Sequence, residues 1–183
     1  MDRPRTRYAR TSDGLHIAYQ VFGEGPRDLV IHLPWISNVD AGWDVPELAT
    51  LFEWFARTSR VILFDRRGFG VSDRPTTPDA MALEKGMEDL RAVLDAVGSD
   101  RAVLLGFESG GTVMLLFAAT YPERAVALAT LTPEVAFWQS EDFPWGWTRE
   151  EADEFRRSLE ADWGTEEFWR RNSDDMGERQ SDA

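Results

Sequence analysis

Apolar positions along the chain switch repeatedly between the spacing of a strand and the spacing of a helix. From Leu15 to Val21 apolar residues alternate with other residues, which is typical of a half-buried strand, and Asp13-Gly14 just before them is a hairpin-turn signal. Short unbroken apolar runs further along predict strands that are covered on both faces. These runs lie at residues 29–33, 61–64 and 102–105, and residues 126–131 predict a further strand.

Helical spacing lies between the predicted strands. Apolar residues fall at i, i+3, i+4 and i+7 from Leu48 to Phe55 and again from Leu90 to Val97, after which Gly98 is a C-terminal cap signal. The segment from Thr112 to Thr120 is apolar nearly all round, which predicts a central helix. Strands that alternate with helices predict an α/β fold, with a mostly parallel sheet and helices on both faces.

After the last predicted strand the character of the sequence changes. Residues 148–151 read Thr-Arg-Glu-Glu, a capping box, so a short helix with Phe155 on its apolar face is expected to begin there. From Trp138 onward the chain holds five of its eight Trp residues, and residues 141–183 carry 14 acidic against 6 basic residues. We expect this segment to pack its rings and to face water with its carboxylates, and the polar residues 172–183 to be frayed.

Composition and charge exclude several classes of protein. The formal net charge of −13 makes nucleic acid an unsuitable partner for the chain as a whole. No apolar run approaches the roughly 18 residues of a membrane helix, and the N-terminus does not resemble a signal peptide, so we expect no membrane partner. The absence of Cys excludes disulfides and thiolate metal sites. These features are compatible with a cytoplasmic location, which is our expectation.

One strand–glycine–helix segment carries the strongest chemical signal. It has the pattern of a nucleophile elbow, G-x-Nu-x-G, in which glycines flank a turn too tight for a Cβ and the N–H after the nucleophile points at the developing oxyanion. Gly106 and Gly110 place Glu108 at the nucleophile position. The register centred on Ser109 needs a small residue where Phe107 stands, so we reject it.

The elbow pattern has consequences for the geometry and charge of Glu108. The apex of such a turn has positive φ, and we expect this of Glu108. Its carboxylate is expected beside the N-terminus of the helix that starts near Ser109, which lowers its pKa unless burial opposes the effect. An ionised carboxylate there would occupy the space of a substrate oxyanion and repel it.

From about Arg7 to Leu131 the chain resembles the α/β-hydrolase superfamily. Three blocks carry the resemblance: residues 32–35 (His-Leu-Pro-Trp), residues 65–73 (Asp-Arg-Arg-Gly-Phe-Gly-Val-Ser-Asp) and the elbow. The chain is most similar to the hydrolase-like domains that precede nucleotide cyclase domains in some bacteria, and residues 118–124 and 145–148 add to that similarity. That group usually reads G-x-S-E-G-G at the elbow, whereas here the Ser and Glu are exchanged.

The resemblance implies a domain organisation. The superfamily fold normally has eight strands, with a helical cap inserted after the sixth. Residues 1–137 would then form the N-terminal portion of the core, residues 138–171 the beginning of the cap, and residues 172–183 a disordered tail. The last two strands and the loop that bears the catalytic histidine would lie outside the chain. We therefore expect the isolated chain to be marginally stable or to self-associate.

Glu108 and Ser109 are the candidate catalytic residues. Glu108 stands where related epoxide hydrolases and dehalogenases have an Asp nucleophile, but it is one methylene longer, so a lost nucleophile is the alternative. Ser109 is either a nucleophile in a reshaped elbow or a helix-start residue whose hydroxyl caps a backbone N–H. The backbone N–H groups of Trp35 and Ser109 are candidate oxyanion donors, and Glu134 is either a triad acid or a solvated loop carboxylate.

The remaining candidate groups are given structural roles. The only two histidines are His16 and His32, and neither stands where the superfamily has its general base. The resemblance implies that His32 shapes the oxyanion loop, and His16 is expected at a surface or sheet edge. Gly68-Phe69-Gly70 lacks the third glycine of a dinucleotide loop, so we expect a tight turn there and no cofactor.

Two functional hypotheses follow from the sequence. The first is an esterase-like hydrolase domain that is inactive as this chain, because the elbow serine is displaced and the catalytic histidine is absent. The alternative is a non-catalytic ligand-sensing module of a bacterial nucleotide-cyclase signalling protein, with the cyclase domain following it in the full gene. Either hypothesis predicts a small-molecule ligand or substrate.

Overall fold

A computed structural model describes residues 1–34, 37–134, 136–168 and 170. The candidate oxyanion donor Trp35 and the expected tail 172–183 lie outside the described residues. The chain divides into two compact units, residues 1–135 and residues 136–183. In the described part, no helix combines the length and the apolar character that crossing a membrane requires.

The first unit is built on a six-stranded, mostly parallel sheet. Its strands are β1 (Arg7–Arg10), β2 (His16–Phe22), β3 (Asp28–His32), β4 (Arg60–Phe64), β5 (Ala102–Phe107) and β6 (Ala125–Leu131). They lie in the order β1-β2-β4-β3-β5-β6. The pairs β1–β2 and β2–β4 are antiparallel, and the other three pairs are parallel. The predicted fold class is confirmed; the short strand β1 is an addition that the apolar pattern did not reveal.

Helices cover both faces of the sheet, as predicted. They are α1 (Pro46–Ala56), α2 (Leu83–Ala96) and α3 (Ser109–Thr120), with short 3₁₀ turns at Ala41–Asp44, Pro78–Met81 and Pro122–Arg124. Alternate residues of the central strands enter two apolar cores. Val30 of β3 packs in the core that contains α2 and α3 residues, whereas Ile31 packs in the core that contains Phe52 of α1. Strands with two apolar faces explain the unbroken apolar runs.

The second unit contains α4 (Arg149–Asp162), which begins at the predicted capping box. The Thr148 hydroxyl accepts a hydrogen bond from the Glu151 N–H, and the Glu151 carboxylate accepts one from the Thr148 N–H. The Trp147 ring stacks on Phe137 and meets Phe155 of α4 edge to face. Aromatic packing therefore organises this acidic, Trp-rich segment, as expected.

The two edges of the sheet differ in chemical character. Strand β1 carries Arg7 and Arg10 at one edge, and such charges discourage pairing with another chain. Strand β6 reads Ala-Val-Ala-Leu-Ala-Thr-Leu, and in the described part it pairs with β5 alone. Val126 and Leu131 are 47% and 49% exposed. An uncharged, apolar edge of this kind favours association.

We expect the isolated 183-residue chain to self-associate through β6. Replacing Leu128, an exposed residue of that strand, with Lys should shift the chain toward monomer, because a charge on the edge disfavours strand pairing. Sedimentation velocity measures the change. The matched control is Tyr8→Lys on β1, which should leave the distribution unchanged. A strictly monomeric wild-type chain with a sharp cooperative melt would contradict this expectation.

Candidate functional site

The turn between β5 and α3, residues 106–110, has the predicted elbow geometry. Strand β5 ends at Phe107, helix α3 begins at Ser109, and Glu108 between them has φ 49° and ψ −125°. The predicted positive φ is confirmed. The Glu108 N–H donates to the Leu131 carbonyl of β6 at 2.9 Å, and the Glu108 carbonyl accepts from the Gly111 N–H at 2.9 Å. The strained residue is thus held by backbone bonds on both sides.

The flanking glycines are required by close backbone approach. A Cβ at Gly106 would lie 2.6 Å from the Cα of Gly111. A Cβ at Gly110 would lie 2.4 Å from Nδ1 of His32. Both distances are shorter than any side chain tolerates, so the spacing around position 108 is a packing requirement of this turn.

A second strained residue lies next to the elbow. Thr132 has φ 49°, and it and Glu108 are the two non-glycine residues with positive φ in the described part of the chain. Phe107 and Leu131 are partners in the β5–β6 register, so the two strained residues follow neighbouring positions on adjacent strands. Strain of this kind persists where surrounding packing enforces it, and it clusters at functional sites.

We expect Glu108→Gly to raise the free energy of unfolding by about 1 kcal/mol, because glycine adopts positive φ without strain. Urea unfolding monitored by circular dichroism measures the change. Glu84→Gly in the first turn of α2 is the control and should destabilise, since glycine is a poor helix residue. Equal destabilisation by both substitutions would show that position 108 is unstrained.

A cleft of about 280 Å³ lies beside the elbow. Polar groups from four strand ends line it: His32 at the end of β3, Arg66 after β4, Ser109 after β5, and Glu134 after β6. Its apolar lining includes Met81, Leu83 and Val113. The carboxyl ends of parallel strands are where ligand sites of open α/β sheets form, and this cleft has that position.

His32 forms the floor of this cleft beneath the elbow. Its side chain is 1% exposed, and its Nδ1 donates to the Leu33 carbonyl at 2.8 Å. Its ring also meets Phe64 edge to face. Burial lowers the pKa of His32 to about 4, so the imidazole is neutral at pH 7. The expected structural role of His32 agrees with this packing against Gly110.

The sequence predicts a lowered pKa for Glu108 unless burial opposes the effect, and burial does oppose it. Burial raises the pKa of this carboxyl above its usual value, and the charge of Glu134 raises it further. Although Glu108 precedes α3, its side chain makes no capping hydrogen bond to that helix. The apex therefore carries a carboxyl group that is less ionised than an ordinary glutamate.

The other candidate residues are distributed as follows. Ser109 is the first residue of α3, and its hydroxyl accepts a 3.4 Å hydrogen bond from Nη1 of Arg66 rather than capping the helix. Glu134 has an exposed side chain at the cleft, while its backbone carbonyl accepts from the Thr112 hydroxyl at 2.9 Å. His16 lies on β2, where its Nδ1 is 2.9 Å from a carboxylate oxygen of Asp73.

Asp65 ties together two loops that frame the site. Its carboxylate accepts from the Val39 N–H and the Val71 N–H, both at 3.0 Å. A Cβ at Gly70 would lie 2.0 Å from this carboxylate, which explains the glycine in the predicted tight turn. Burial raises the pKa of Asp65, and the backbone donors oppose that rise. Sequence reasoning recognised this block without predicting the role of its aspartate.

Arg67 anchors the loop after β4 to α2. The side chain is 2% exposed and donates to the fully buried Asp89 from Nε at 2.8 Å and from Nη2 at 2.6 Å. Nη1 donates to Asp13 at 2.8 Å, and this contact lowers the pKa of Asp13 to about 2, with help from Thr11. Burial lowers the pKa of Arg67, but its bonds to both carboxylates outweigh burial and raise it.

Comparison with known proteins decides the family. A family model described as the alpha/beta hydrolase fold matches residues 42–176. The chain belongs to the α/β-hydrolase family. This assignment agrees with the sheet order and the elbow. It supplies a family and a fold, while the reaction depends on the groups at the apex.

Relatives of this α/β-hydrolase chain include several enzymes. It is 32% identical over 157 residues to the bifunctional esterase/perhydrolase DCH of Acinetobacter calcoaceticus, which covers 83% of this chain and 54% of the relative. It is 30% identical over 125 residues to epoxide hydrolase 4 of Mus musculus, covering 68% and 33%. An esterase structure from Exiguobacterium antarcticum superposes with TM-score 0.71 at 22% identity, covering 86% and 57%. The chain spans from a third to about half of these curated relatives.

The described part of this α/β-hydrolase chain offers no group of three or more His, Cys, Asp or Glu side chains that could hold a metal. What it assembles is a strained carboxyl apex beside a cleft that holds a guanidinium, a hydroxyl, a carboxylate and a neutral imidazole. Such an arrangement can bind a small polar molecule. The sequence motifs located the elbow and Glu134. They did not indicate that the side chains of Arg66 and His32 would line the cleft.

Proposed function

We propose that this chain is a non-catalytic, ligand-binding member of the α/β-hydrolase family, with the cleft beside the elbow as its binding site. One observation carries the proposal: Glu108 occupies the positive-φ apex, where the G-x-Nu-x-G pattern places the nucleophile. The side chain at the apex is thus a carboxyl in place of a hydroxyl. The serine follows it in the first turn of α3.

Among the described residues, none of the groups around Ser109 stands as an activating base. A serine hydroxyl is a weak nucleophile until an adjacent base removes its proton. Nε2 of His32 makes no hydrogen bond to the Ser109 hydroxyl, and the low pKa of His32 makes this imidazole a poor proton acceptor at pH 7. His16 is engaged with Asp73. The charged Arg66 is the group that contacts Ser109.

The proposal extends to a sensing role. The elbow sequence supports it, because residues 106–111 resemble the hydrolase-like domains that precede bacterial nucleotide cyclases, with Ser and Glu exchanged. In this view the domain binds a small molecule in the cytoplasm and transmits occupancy to a cyclase domain. A binding domain of that kind needs a cleft and a stable fold rather than a nucleophile.

A second candidate function is hydrolysis through a carboxylate nucleophile. The carboxyl at the apex and the similarity to epoxide hydrolase 4 of Mus musculus favour it. The partial burial that raises the pKa of Glu108 opposes it, because it disfavours the ionised form that would act as the nucleophile. The extra methylene relative to aspartate also displaces the oxygens from the apex.

We expect the purified chain to hydrolyse p-nitrophenyl acetate no faster than its Glu108→Ala variant, measured by release of p-nitrophenolate. Loss of one member of a catalytic triad costs about four orders of magnitude in rate, so a displaced serine without a base should leave only background. Ser109→Ala is the second comparison and should also match the wild type. Turnover that disappears in either variant would overturn the proposal.

A further inference from the structure

The second unit has a small cavity of its own, with a volume of about 270 Å³. It is lined by Trp138, Gln139, Trp147, Thr148 and Arg149. All five residues belong to the acidic, Trp-rich segment, and none of them lines the cleft beside the elbow. What this cavity binds is therefore independent of the function proposed for that cleft.

Two indole rings form adjoining walls of the cavity. Trp138 and Trp147 are partners in an isolated β-bridge, in which the Gln139 N–H donates to the Trp147 carbonyl at 2.9 Å. The Phe137 ring stands at 84° to the Trp138 ring and at 21° to the Trp147 ring. The two indole planes are therefore steeply inclined to each other. A Cβ at Gly146 would lie 2.6 Å from the carbonyl carbon of Trp138, so close backbone contact holds this aromatic corner in place.

A cation already lies on one of these rings. The Cζ atom of Arg149 is 5.5 Å from the centre of the Trp138 ring, within the range of cation–π attraction. Arg149 is exposed and Trp138 is 51% exposed, and cation–π contacts at exposed sites are weak. The guanidinium can therefore leave the ring for water at little cost. The face of Trp138 is a cation site that the chain fills from within.

The charge around the cavity favours a positive ligand. Residues 136–170 carry ten acidic and four basic residues. One carboxylate is held beside the cavity, because Glu151 accepts 2.8 Å hydrogen bonds from the N–H and the hydroxyl of Thr148. A negative field of this kind attracts a cation and repels an anion.

Inclined aromatic walls with a carboxylate beside them recognise quaternary ammonium groups. The methyl groups pack on the rings, and the positive charge faces their π-electrons. A volume of about 270 Å³ has room for one such group. We propose that this cavity binds the trimethylammonium head of a small molecule, in competition with the guanidinium of Arg149. The Arg149 side chain then acts as an internal competitor, which the ligand displaces from Trp138.

The probes are choline and 3,3-dimethyl-1-butanol, which has the same shape without the charge. Each is titrated into the full chain and followed by NMR of the indole N–H of Trp147. We expect choline to bind about tenfold tighter than the neutral alcohol, because the rings and the carboxylate act on its charge. Equal affinity for the two probes would show that the cavity is only an apolar surface, and the ammonium assignment would be wrong.

Substitutions test the competition and the ring separately. Arg149→Gln should tighten choline binding about threefold, because it removes the internal competitor, whereas Trp138→Leu should weaken it about tenfold. Trp54→Leu on α1 is the matched control, since this indole is 58% exposed and does not line the cavity, and it should leave the affinity unchanged. Weaker choline binding in Arg149→Gln, or no detectable binding to the wild-type chain, would contradict the proposal.

Discussion

Replacing Asp89 with Ala is expected to lower the free energy of unfolding by about 3–5 kcal/mol, because the substitution leaves a buried guanidinium without its main partner. Asp89 is fully buried on α2 and accepts two hydrogen bonds from the Arg67 side chain and one from the Arg67 N–H. The partners that remain, the Ala80 carbonyl and the partly exposed Asp13, cannot compensate for the loss. Urea unfolding followed by Trp fluorescence gives the change.

Two comparisons make the Asp89 prediction specific. Asp95→Ala on the same helix removes a carboxylate that is 50% exposed, and it should cost less than about 1 kcal/mol. The double variant Asp89→Ala/Arg67→Met should recover part of the loss, because it removes the stranded charge as well. Similar losses for Asp89→Ala and Asp95→Ala would contradict the picture of a buried ion pair that anchors the loop after β4.

The largest expected pH effect comes from His32. Its pKa in the folded chain is about 4, against 6.5 for an ordinary histidine. As the pH falls through 6.5, the imidazole of His32 is protonated in the unfolded chain, whereas in the folded chain it stays neutral until the pH approaches 4. Stability is therefore lost between these two values. One pKa unit corresponds to about 1.4 kcal/mol, so the loss should reach about 3 kcal/mol.

Substitution isolates this contribution from that of the carboxyls. Asp65 and Glu108 have raised pKa values in the folded chain. The stability that these carboxyls contribute is therefore present at low pH and is lost as the pH rises, which is opposite to the effect of His32. Asp65 and Glu108 are present in both the wild type and His32→Phe. Their contribution therefore cancels in the difference between the two unfolding free energies. That difference should shrink as the pH drops from 6.5 to 4. A difference that stays constant, or an imidazole ¹⁵N titration of His32 near 6.5, would contradict the burial of a neutral ring.

The fold was predictable because its elements follow from local patterns. Apolar runs marked the buried strands β3, β4 and β5 and also the exposed edge strand β6. The elbow register followed from steric reasoning alone: Phe107 excluded Ser109 from the apex, and the positive φ of Glu108 agrees with that choice. The apolar runs and the glycines of the elbow involve residues that are close together in the sequence, so the sequence shows these patterns directly.

The electrostatics of the site depend on contacts between distant segments, and local patterns did not reveal them. Arg67 meets Asp13 across 54 residues and Asp89 across 22 residues. The pKa of Glu108 rises because its carboxyl is partly buried and because the charge of Glu134 acts on it. The strand order brings these two residues near each other. The free lone pair of His32 follows from one hydrogen bond to Leu33. Each of these features requires the folded chain.

The account centres on an elbow that binds without reacting, and oxygen exchange at Glu108 tests this most directly. A carboxylate nucleophile that opens an epoxide forms an ester, and water then attacks the ester carbonyl, releases the diol and leaves one of its oxygens in the carboxylate. The chain is incubated in H₂¹⁸O with styrene oxide or p-nitrophenyl acetate, and the peptide that contains Glu108 and Ser109 is weighed by mass spectrometry. We predict no ¹⁸O gain and no adduct on this peptide. Incorporation of ¹⁸O at Glu108, or an acyl group trapped on Ser109, would show that the elbow is catalytic.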